Sequence, residues 1–328
     1  PKAAVPSHET LPGAALPCVT PMDARSRARL LLPLPMFHVA ALTSVISSSV
    51  GGGTIVSMPD FDPMAVWALI KEERVTTGGS VPAILNIMRQ VPDFATFESE
   101  HFRFFITAAA PMPKALNEIN NDKDKQVVHG YALTETGGGG SFLLNDYALS
   151  KIGSAGAPAM FCEMRVRDDE GNITARGTGE VVIKAPFVMK EYWNRPEATE
   201  ETFDRGWFRT GDIAEIDDEG FLFIKDRIKD MIISGGENIY PAEVENVIIA
   251  HPAVSEVAVI GLPDDKWGEI ACAIVVGNED DTNEEDIIAS CAEKLSRYKL
   301  PKKVIFIEAI PRNPAGKVLK RMLREQFA

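Results

Sequence analysis

Short apolar runs alternate with longer helical stretches between about residues 30 and 145. Residues 103–106 and 126–128 are apolar runs of strand length, and each leads into a loop with candidate chemistry. This alternation is typical of an α/β sheet, whose ligands usually lie in the loops after its strands. We therefore predict an α/β domain over residues 1–150.

A helix is predicted after Asp62 in this domain. Asp62 can accept hydrogen bonds from the first helical turn, and Pro63 suits the first position because its missing N–H is not needed there. Val66, Trp67 and Ile70 follow at helical spacing and can supply the buried stripe. Both the start and the buried face of this helix are thus specified locally.

Residues 39–56 are uncharged and long enough to raise the question of a membrane span. The segment contains four serines, two threonines and three consecutive glycines. It is too polar and too interrupted for a spanning helix. We predict instead a buried helix, a glycine turn and a strand over residues 54–56, and no transmembrane segment.

The pattern changes to a strand period after residue 150. Apolar and charged residues alternate over residues 162–167, a turn follows at 169–172, and residues 181–183 and 221–224 are further apolar runs. This favours a β-rich subdomain over residues 151–228.

From residue 229 onward we predict a smaller α+β domain that extends to residue 328. Its helices are expected to begin at Pro241 and to cover residues 284–296. Its strands are expected at residues 257–260, 270–276 and 304–307.

The net charge of −13 argues against nucleic acid as a partner. The C-terminal segment reverses this charge, since ten basic residues share it with few acids. A basic edge suits a small polyanion such as a nucleotide or coenzyme A, and a solvated basic face is the alternative. The four cysteines are widely spaced and there is no secretory signal at the start, which predicts a reducing, cytoplasmic location.

Chemistry-bearing residues are concentrated between residues 209 and 245. This stretch combines Thr-Gly-Asp ending at Asp212, Asp-Arg ending at Arg227, a Lys-Asp step, two glycines and a Tyr-Pro-Ala-Glu helix start. Surface loops rarely hold acids, bases and glycines in so dense an order. A structural requirement alone does not account for this combination.

Two further segments complete a pattern. Residues 129–135 read His-Gly-Tyr-Ala-Leu-Thr-Glu, and residues 313–317 read Asn-Pro-Ala-Gly-Lys. In this order the three segments resemble motifs of the adenylate-forming enzymes, the family of acyl-CoA synthetases, luciferases and peptide-synthetase adenylation domains. The resemblance implies the later part of a large α/β N-terminal domain with a β-rich subdomain, followed by a small, mobile α+β C-terminal domain.

The resemblance also implies catalytic residues. Thr134 would contact the adenylate phosphate, and Glu135 would hold Mg²⁺, a hard ion that prefers oxygen ligands. Lys317 would bind the substrate carboxylate and the α-phosphate region, where it offsets negative charge. Read without the family, Thr134 and Glu135 could start an ordinary helix, and Lys317 could be a solvated lysine in a turn.

A nucleotide site follows from the same resemblance. Tyr131 would present its ring to adenine, with Ala109 and Ala110 as the opposite shelf, although the family has glycines there. Asp212 would accept hydrogen bonds from the ribose hydroxyls, supported by Arg227. The alternatives are core packing for Tyr131 and a plain salt bridge between Asp212 and Arg227.

Lys229 occupies the position of the family's interdomain hinge. Gly235 and Gly236 would let the backbone approach the thiol-bearing arm of coenzyme A, and they also suit a tight β-turn. Lys2 resembles the end of the family's phosphate loop, whose Ser/Thr/Gly-rich part is absent here. We therefore expect the sequence to be a fragment that lacks the N-terminal lobe and is inactive in isolation.

The activity implied is that of an acyl-CoA synthetase that uses ATP, Mg²⁺, coenzyme A and a small-molecule carboxylic acid. The alternatives are an adenylation domain that loads a carrier protein and a non-catalytic chain that binds nucleotide. Gly137 to Gly140 follow the Thr-Glu motif where the family's chain passes the acyl pocket. Four residues without side chains predict an open pocket wall suited to a medium- or long-chain fatty acid, and a flexible loop is the alternative.

Overall fold

The computed structural model describes residues 2–58, 60–108, 126–277, 282–313 and 317–328. The chain divides into a first unit, Pro1–Thr210 with Ala214–Ile224, and a second unit, Gly211–Ile213 with Lys225–Ala328. The predicted α/β class is confirmed by a mixed structure with several sheets.

A seven-stranded sheet forms the centre of the first unit, in the order β3-β2-β4-β5-β6-β7-β8. The strands are β2 (Arg29–Leu32), β3 (Thr54–Ser57), β4 (Thr77–Ser80), β5 (Phe104–Thr107), β6 (Gln126–Ala132), β7 (Gly140–Leu143) and β8 (Ala157–Pro158). The pairs from β3 to β6 are parallel, and β7 and β8 continue the sheet antiparallel. The Thr-Glu motif follows the carboxyl end of β6, the last of the parallel strands, and ligands of open α/β sheets lie at the carboxyl ends of the strands.

The described helices beside this sheet are α1 (Thr10–Val19), α2 (Val39–Gly51), α3 (Pro63–Glu72), α4 (Pro82–Met88) and α5 (Pro92–Ala95). The helix predicted after Asp62 is confirmed as α3. The Asp62 carboxylate accepts hydrogen bonds from the N–H groups of Met64 at 2.9 Å and Ala65 at 3.3 Å. The predicted stripe, Val66, Trp67 and Ile70, is buried.

Helix α2 and strand β3 confirm the interpretation of residues 39–56. The helix satisfies part of its polar side chains internally, since Ser44 donates to the carbonyl of Ala40 one turn earlier at 2.8 Å. The Thr43 hydroxyl lies 2.6 Å from the carbonyl of Gly137 and 2.9 Å from that of Val39. Ser47 donates to the carbonyl of Ala15 on α1 at 3.1 Å. Among the described residues, no helix has both the length and the apolar character needed to cross a membrane.

Strand β4 is a feature that the sequence does not predict, because Thr-Gly-Gly-Ser favours a turn. Its position between β2 and β5 is required by packing. A Cβ atom on Gly78 would lie 2.7 Å from the ring of Phe105. The glycine therefore makes room for the aromatic core under the sheet, which includes Trp67, Phe97 and Phe102.

A β-rich sheet has the order β10-β9-β11-β14-β13, with β15 also paired to β14. Its strands are β9 (Glu163–Arg167), β10 (Ile173–Thr174), β11 (Gly177–Lys184), β13 (Phe203–Asp204), β14 (Trp207–Ile216) and β15 (Leu222–Arg227). Met164 and Val166 are buried and their neighbours are not, as the alternation predicts. A separate two-stranded pair joins β1 (Ala4–Val5) to β12 (Glu191–Tyr192), and α6 covers Pro196–Thr202.

The second unit has the strand order β17-β16-β19-β18, with β20 parallel to β19. Its elements are β16 (Ile232–Ser234), β17 (Glu237–Ile239), α7 (Pro241–Ile248), β18 (Val254–Asp264), β19 (Gly268–Gly277), α8 (Glu284–Ala292), β20 (Lys303–Phe306) and α9 (Lys320–Phe327). Helix α7 begins at Pro241 as predicted. Its N-terminus is capped from a distance, because Asp226 accepts the N–H of Ala242 at 2.7 Å. Helix α8 ends four residues before the predicted residue 296, in a turn that leads to a short 3₁₀ helix at Arg297–Lys299.

Candidate active-site residues

The Thr-Glu motif lies directly after β6, in a 3₁₀ turn that covers Thr134–Thr136. The turn is closed by Thr136, whose hydroxyl accepts the N–H of Leu133 at 3.1 Å and donates to its carbonyl at 3.0 Å. Thr134 is exposed and does not cap the turn. The interpretation of Thr134 as an ordinary helix cap is therefore wrong, because Leu133 occupies the cap position.

Glu135 accepts two hydrogen bonds from the segment that contains β12, one at its backbone and one at its side chain. The N–H of Met189 donates to the backbone carbonyl of Glu135 at 2.7 Å. The hydroxyl of Tyr192 donates to Glu135 Oε1 at 2.7 Å. Burial, and then the hydrogen bond to Glu135, raises the pKa of Tyr192 above its ordinary value. The phenol therefore remains a donor to this carboxylate over the physiological pH range.

Lys2 lies beside the same tyrosine. Its ammonium is 4.7 Å from the centroid of the Tyr192 ring, within cation–π range. Two backbone bonds hold the strands together here, from Lys190 to the carbonyl of Val5 at 3.0 Å and from Trp193 to that of Ala3 at 2.8 Å. Lys2 and Glu135 thus contact two parts of one side chain, the ring and the hydroxyl of Tyr192.

Tyr131 is half-buried near the end of β6. Together with Leu133 it packs against the core of the β-rich sheet, so part of the ring serves packing and part remains exposed. Ala109 and Ala110, predicted as the facing shelf, lie outside the described residues.

The glycines that follow the motif do not form an open wall, and that prediction is wrong. Gly137 and Gly138 have φ angles of +60° and +87°, which favour glycine. A Cβ atom on Gly138 would collide with Thr43, and one on Gly139 would lie 2.8 Å from the Phe187 ring. A Cβ atom on Gly140 would collide with the carbonyl of Tyr131. Close packing, rather than pocket access, explains this run.

In the second unit, Arg227 and Asp212 form an ion pair with an Nε–Oδ1 distance of 3.1 Å. The Asp212 side chain is 5% exposed and that of Arg227 38%. The pair is therefore not the fully solvated type that contributes little. A buried carboxylate held by a guanidinium is a fixed acceptor for a vicinal diol.

Lys317 follows residues 314–316, which are outside the described residues. The N–H of Lys317 donates to Asn313 Oδ1, and the N–H of Asn313 donates to the Lys317 carbonyl, both at 2.9 Å. These reciprocal bonds hold Asn313 and Lys317 together. The side chain itself is more than a third exposed and can reach a ligand.

Lys317 shares its electrostatic environment with the other predicted residues of the second unit. Partial burial, and then the positive charges of Arg227 and Lys229, hold its pKa below the ordinary value for lysine. Asp212 and Asp230 act in the opposite direction. Lys229 is exposed in a 3₁₀ turn, Ile228–Asp230, and Asp230 is paired with Arg324 at 2.9 Å.

Gly235 and Gly236 form the two-residue turn between β16 and β17, with φ angles of +61° and +86°. Positive φ at both positions explains why glycine is used twice. A Cβ atom on Gly235 would lie 2.7 Å from the Trp267 ring, and the Gly235 N–H donates to the Trp267 carbonyl at 2.7 Å. The tight-turn interpretation is therefore correct, and both glycines are exposed at the surface.

Two residues that act on the predicted site residues were not assigned a role from the sequence. Tyr192 contacts Glu135 across 57 positions of sequence, and Asp230 influences Lys317. A Tyr-Trp pair within a charged stretch is the only local signal for Tyr192. The described part of the chain contains no group of three or more His, Cys, Asp or Glu residues that could hold a metal ion.

These positions belong to a recognisable class of protein. Residues 1–193 match the model of the AMP-binding enzyme family, and residues 243–317 match the AMP-binding enzyme C-terminal domain. The chain is a member of the AMP-binding enzyme family.

Acid–CoA ligases are among its relatives. The whole chain is 62% identical to the long-chain-fatty-acid–CoA ligase FadD13 of Mycobacterium tuberculosis and spans 65% of that protein. It is 39% identical to a feruloyl-CoA synthase of Amycolatopsis sp. and spans 67% of it. The o-succinylbenzoate coenzyme A synthetase MenE from Bacillus subtilis, whose structure is known in complex with ATP and magnesium, is 34% identical in sequence to this chain. The match covers 98% of this chain and 67% of that one, with a TM-score of 0.91.

Proposed function

We propose that the native protein carrying this sequence is an ATP-dependent, AMP-forming acyl-CoA synthetase. In the first half-reaction, a carboxylate oxygen attacks the α-phosphorus of ATP, which forms an acyl-adenylate and releases pyrophosphate. In the second, the thiol of coenzyme A attacks the acyl carbonyl and AMP leaves, which yields the thioester. The observation that carries this proposal is the 62% identity, over all 328 residues, to a fatty-acid–CoA ligase.

The proposed roles of four predicted residues draw on their surroundings in the structure. The buried Asp212 carboxylate, oriented by Arg227, would accept the ribose hydroxyls. The exposed hydroxyl of Thr134 would donate to the α-phosphate. Lys317 would neutralise the charge that develops there and would position the carboxylate. The half-buried Tyr131 ring would stack on adenine.

Magnesium fits the donor chemistry at Glu135. This residue offers a hard carboxylate oxygen, and the cation would neutralise charge on the ATP phosphates. Without a group of three ligands in the described ranges, the remaining oxygens would come from ATP and water, as is usual for Mg²⁺. Lys2 would add a positive charge on the phosphate side.

Coenzyme A is proposed to reach the site beside the exposed Gly235–Gly236 turn, whose backbone has no side chain to obstruct a narrow arm. A hinge at Lys229 remains a proposal from the family resemblance, as do the domain bounds at residues 150 and 228. The cytoplasm is the proposed location.

The acid is proposed to be a medium- or long-chain fatty acid, on the basis of similarity to FadD13. The test is the rate of AMP and acyl-CoA formation by the native protein with ATP, Mg²⁺, coenzyme A and saturated acids of increasing length. We expect kcat/KM to rise through the medium range, by at most about 0.8 kcal/mol, roughly fourfold, per buried methylene.

The outcomes separate the parts of the proposal. A flat profile from acetate upward, or a preference for benzoate or ferulate, would refute the fatty-acid class. Release of ADP instead of AMP would refute the adenylate chemistry. Acylation of a carrier protein but not of coenzyme A would favour the carrier-loading alternative.

A further inference from the structure

Tyr192 joins two residues of the proposed nucleotide site that are far apart in sequence. Its hydroxyl is 2.7 Å from Glu135 Oε1, and the face of its ring lies under the ammonium of Lys2 at 4.7 Å. The residue is only 7% exposed. A single buried side chain thus contacts both the proposed metal ligand and the proposed phosphate-side cation.

The backbone around Tyr192 is fixed independently of these contacts. Tyr192 pairs with Ala4 in the register of β1 and β12. Its own N–H donates to Thr199 Oγ1 at 3.0 Å, which ties it to α6. Met189, three residues earlier, donates to the carbonyl of Glu135. Because the ring is anchored in this way, its hydroxyl selects one orientation of a glutamate side chain that otherwise has several rotamers.

The hydrogen bond also makes the two oxygens of the Glu135 carboxylate different from each other. Tyr192 engages Oε1, and within the described residues no hydrogen bond reaches Oε2. A Mg²⁺ ligand that is oriented by a neutral donor keeps its full negative charge for the cation. A cation or an arginine at the same place would compete with the metal, and a phenol does not.

We propose that Tyr192 is a positioning residue for adenylate formation, which holds Glu135 in the orientation that binds Mg²⁺ and aligns it with Lys2. This rests on the proposed function, in which Glu135 is the metal ligand. The residue acts through Glu135 and Lys2 and does not itself touch the reacting atoms.

The test compares Tyr192→Phe with Glu135→Gln and the double variant in the native protein. Tyr192→Phe retains the ring over which Lys2 lies and removes only the hydroxyl. The matched control is Tyr147→Phe, since Tyr147 is a 46% exposed tyrosine of the same unit that packs on Phe221. The primary readout is the dissociation constant of Mn²⁺ from the complex with α,β-methylene-ATP, by electron paramagnetic resonance. The second is the Mg²⁺ dependence of adenylate formation.

We expect Tyr192→Phe to weaken Mn²⁺ binding roughly 10-fold, within the range for loss of an outer partner of a metal ligand. Its melting temperature and the rate of thioester formation from supplied acyl-adenylate should stay close to those of Tyr147→Phe. In the Glu135→Gln background the same change should have no further effect on Mn²⁺ binding.

Three results would overturn the proposal, and each has a different meaning for the proposed function. If Glu135→Gln weakens Mn²⁺ binding and Tyr192→Phe does not, Tyr192 has no positioning role and the proposed function stands. Additive effects in the double variant mean that Tyr192 acts independently of Glu135. If Glu135→Gln leaves Mn²⁺ binding unchanged, the metal role of Glu135 itself is wrong.

Discussion

Arg227 Nε lies 3.1 Å from the carboxylate of Asp212, which is almost completely removed from solvent. The two residues come from consecutive strands, β14 and β15, so that the sheet itself sets their separation. Burying a carboxylate costs free energy unless an opposite charge and hydrogen bonds compensate for the lost solvation. This relationship leads to the first prediction.

Asp212→Asn is expected to weaken ATP binding by roughly 10- to 100-fold, because hydrogen bonds to a charged group contribute about 1.5–3 kcal/mol. The measurement is the affinity for ATP and for 2′,3′-dideoxy-ATP. The native protein should prefer ATP, and the variant should lose most of that preference. Glu180→Gln is the control, since Glu180 is also buried and paired, with Arg209 at 2.8 Å. An unchanged preference in Asp212→Asn would contradict ribose recognition by this residue.

Lys317→Ala is expected to slow adenylate formation roughly 100- to 1,000-fold, the usual loss for one group that stabilises developing charge. Thioester formation from supplied acyl-adenylate should be largely unaffected. Lys302→Ala, an exposed lysine of the same unit, provides the control. Equal losses in both half-reactions, or no loss in either, would show that the assigned role is wrong.

The pH dependence of adenylate formation should reflect the lowered pKa of Lys317. The charged lysine is the active form, so activity should fall as pH rises through that pKa, below the ordinary value of about 10.4. Lys229→Ala removes a positive neighbour and should raise the pKa of Lys317. The alkaline limb of kcat/KM for adenylation should therefore move to higher pH. A limb that stays in place or moves to lower pH would contradict the electrostatic link.

His129 should make the protein sensitive to mild acid. Burial lowers its pKa to about 4, while an unfolded histidine titrates near 6.5. Between these values the unfolded chain binds a proton that the folded chain does not. The stability contribution is therefore fully present above pH about 6.5 and falls as the pH drops toward 4, by at most about 3.5 kcal/mol.

The measurement is the melting temperature at pH 7.5 and pH 5. His129→Gln should reduce the difference between the two values, whereas His8→Gln, at an exposed histidine, should leave it unchanged. Equal acid sensitivity in the native protein and His129→Gln would rule out His129 as the source.

Local sequence determined those elements whose stabilising contacts are also local. The start of α3 follows from Asp62 and Pro63. Pro241 marks the start of α7, although the cap itself comes from the distant Asp226. Ser44 and Ser49 of α2 bond to carbonyls of the same helix, so a polar composition was compatible with a partly buried helix. The motif residues Asp212, Thr134 and Lys317 were identifiable because each lies in a short run of characteristic composition.

Tertiary structure decided the features that depend on residues distant in sequence. Strand β4 exists because Gly78 makes room for Phe105, and Gly138 to Gly140 are glycines because Thr43, Phe187 and Tyr131 approach them closely. Composition cannot distinguish such contacts from an open wall. The bond from Tyr192 to Glu135 has the same origin, since β1 and β12 must pair before the hydroxyl reaches the carboxylate. A sequence pattern reports the bonds a segment makes with itself, and only the folded chain brings the remaining partners within bonding distance.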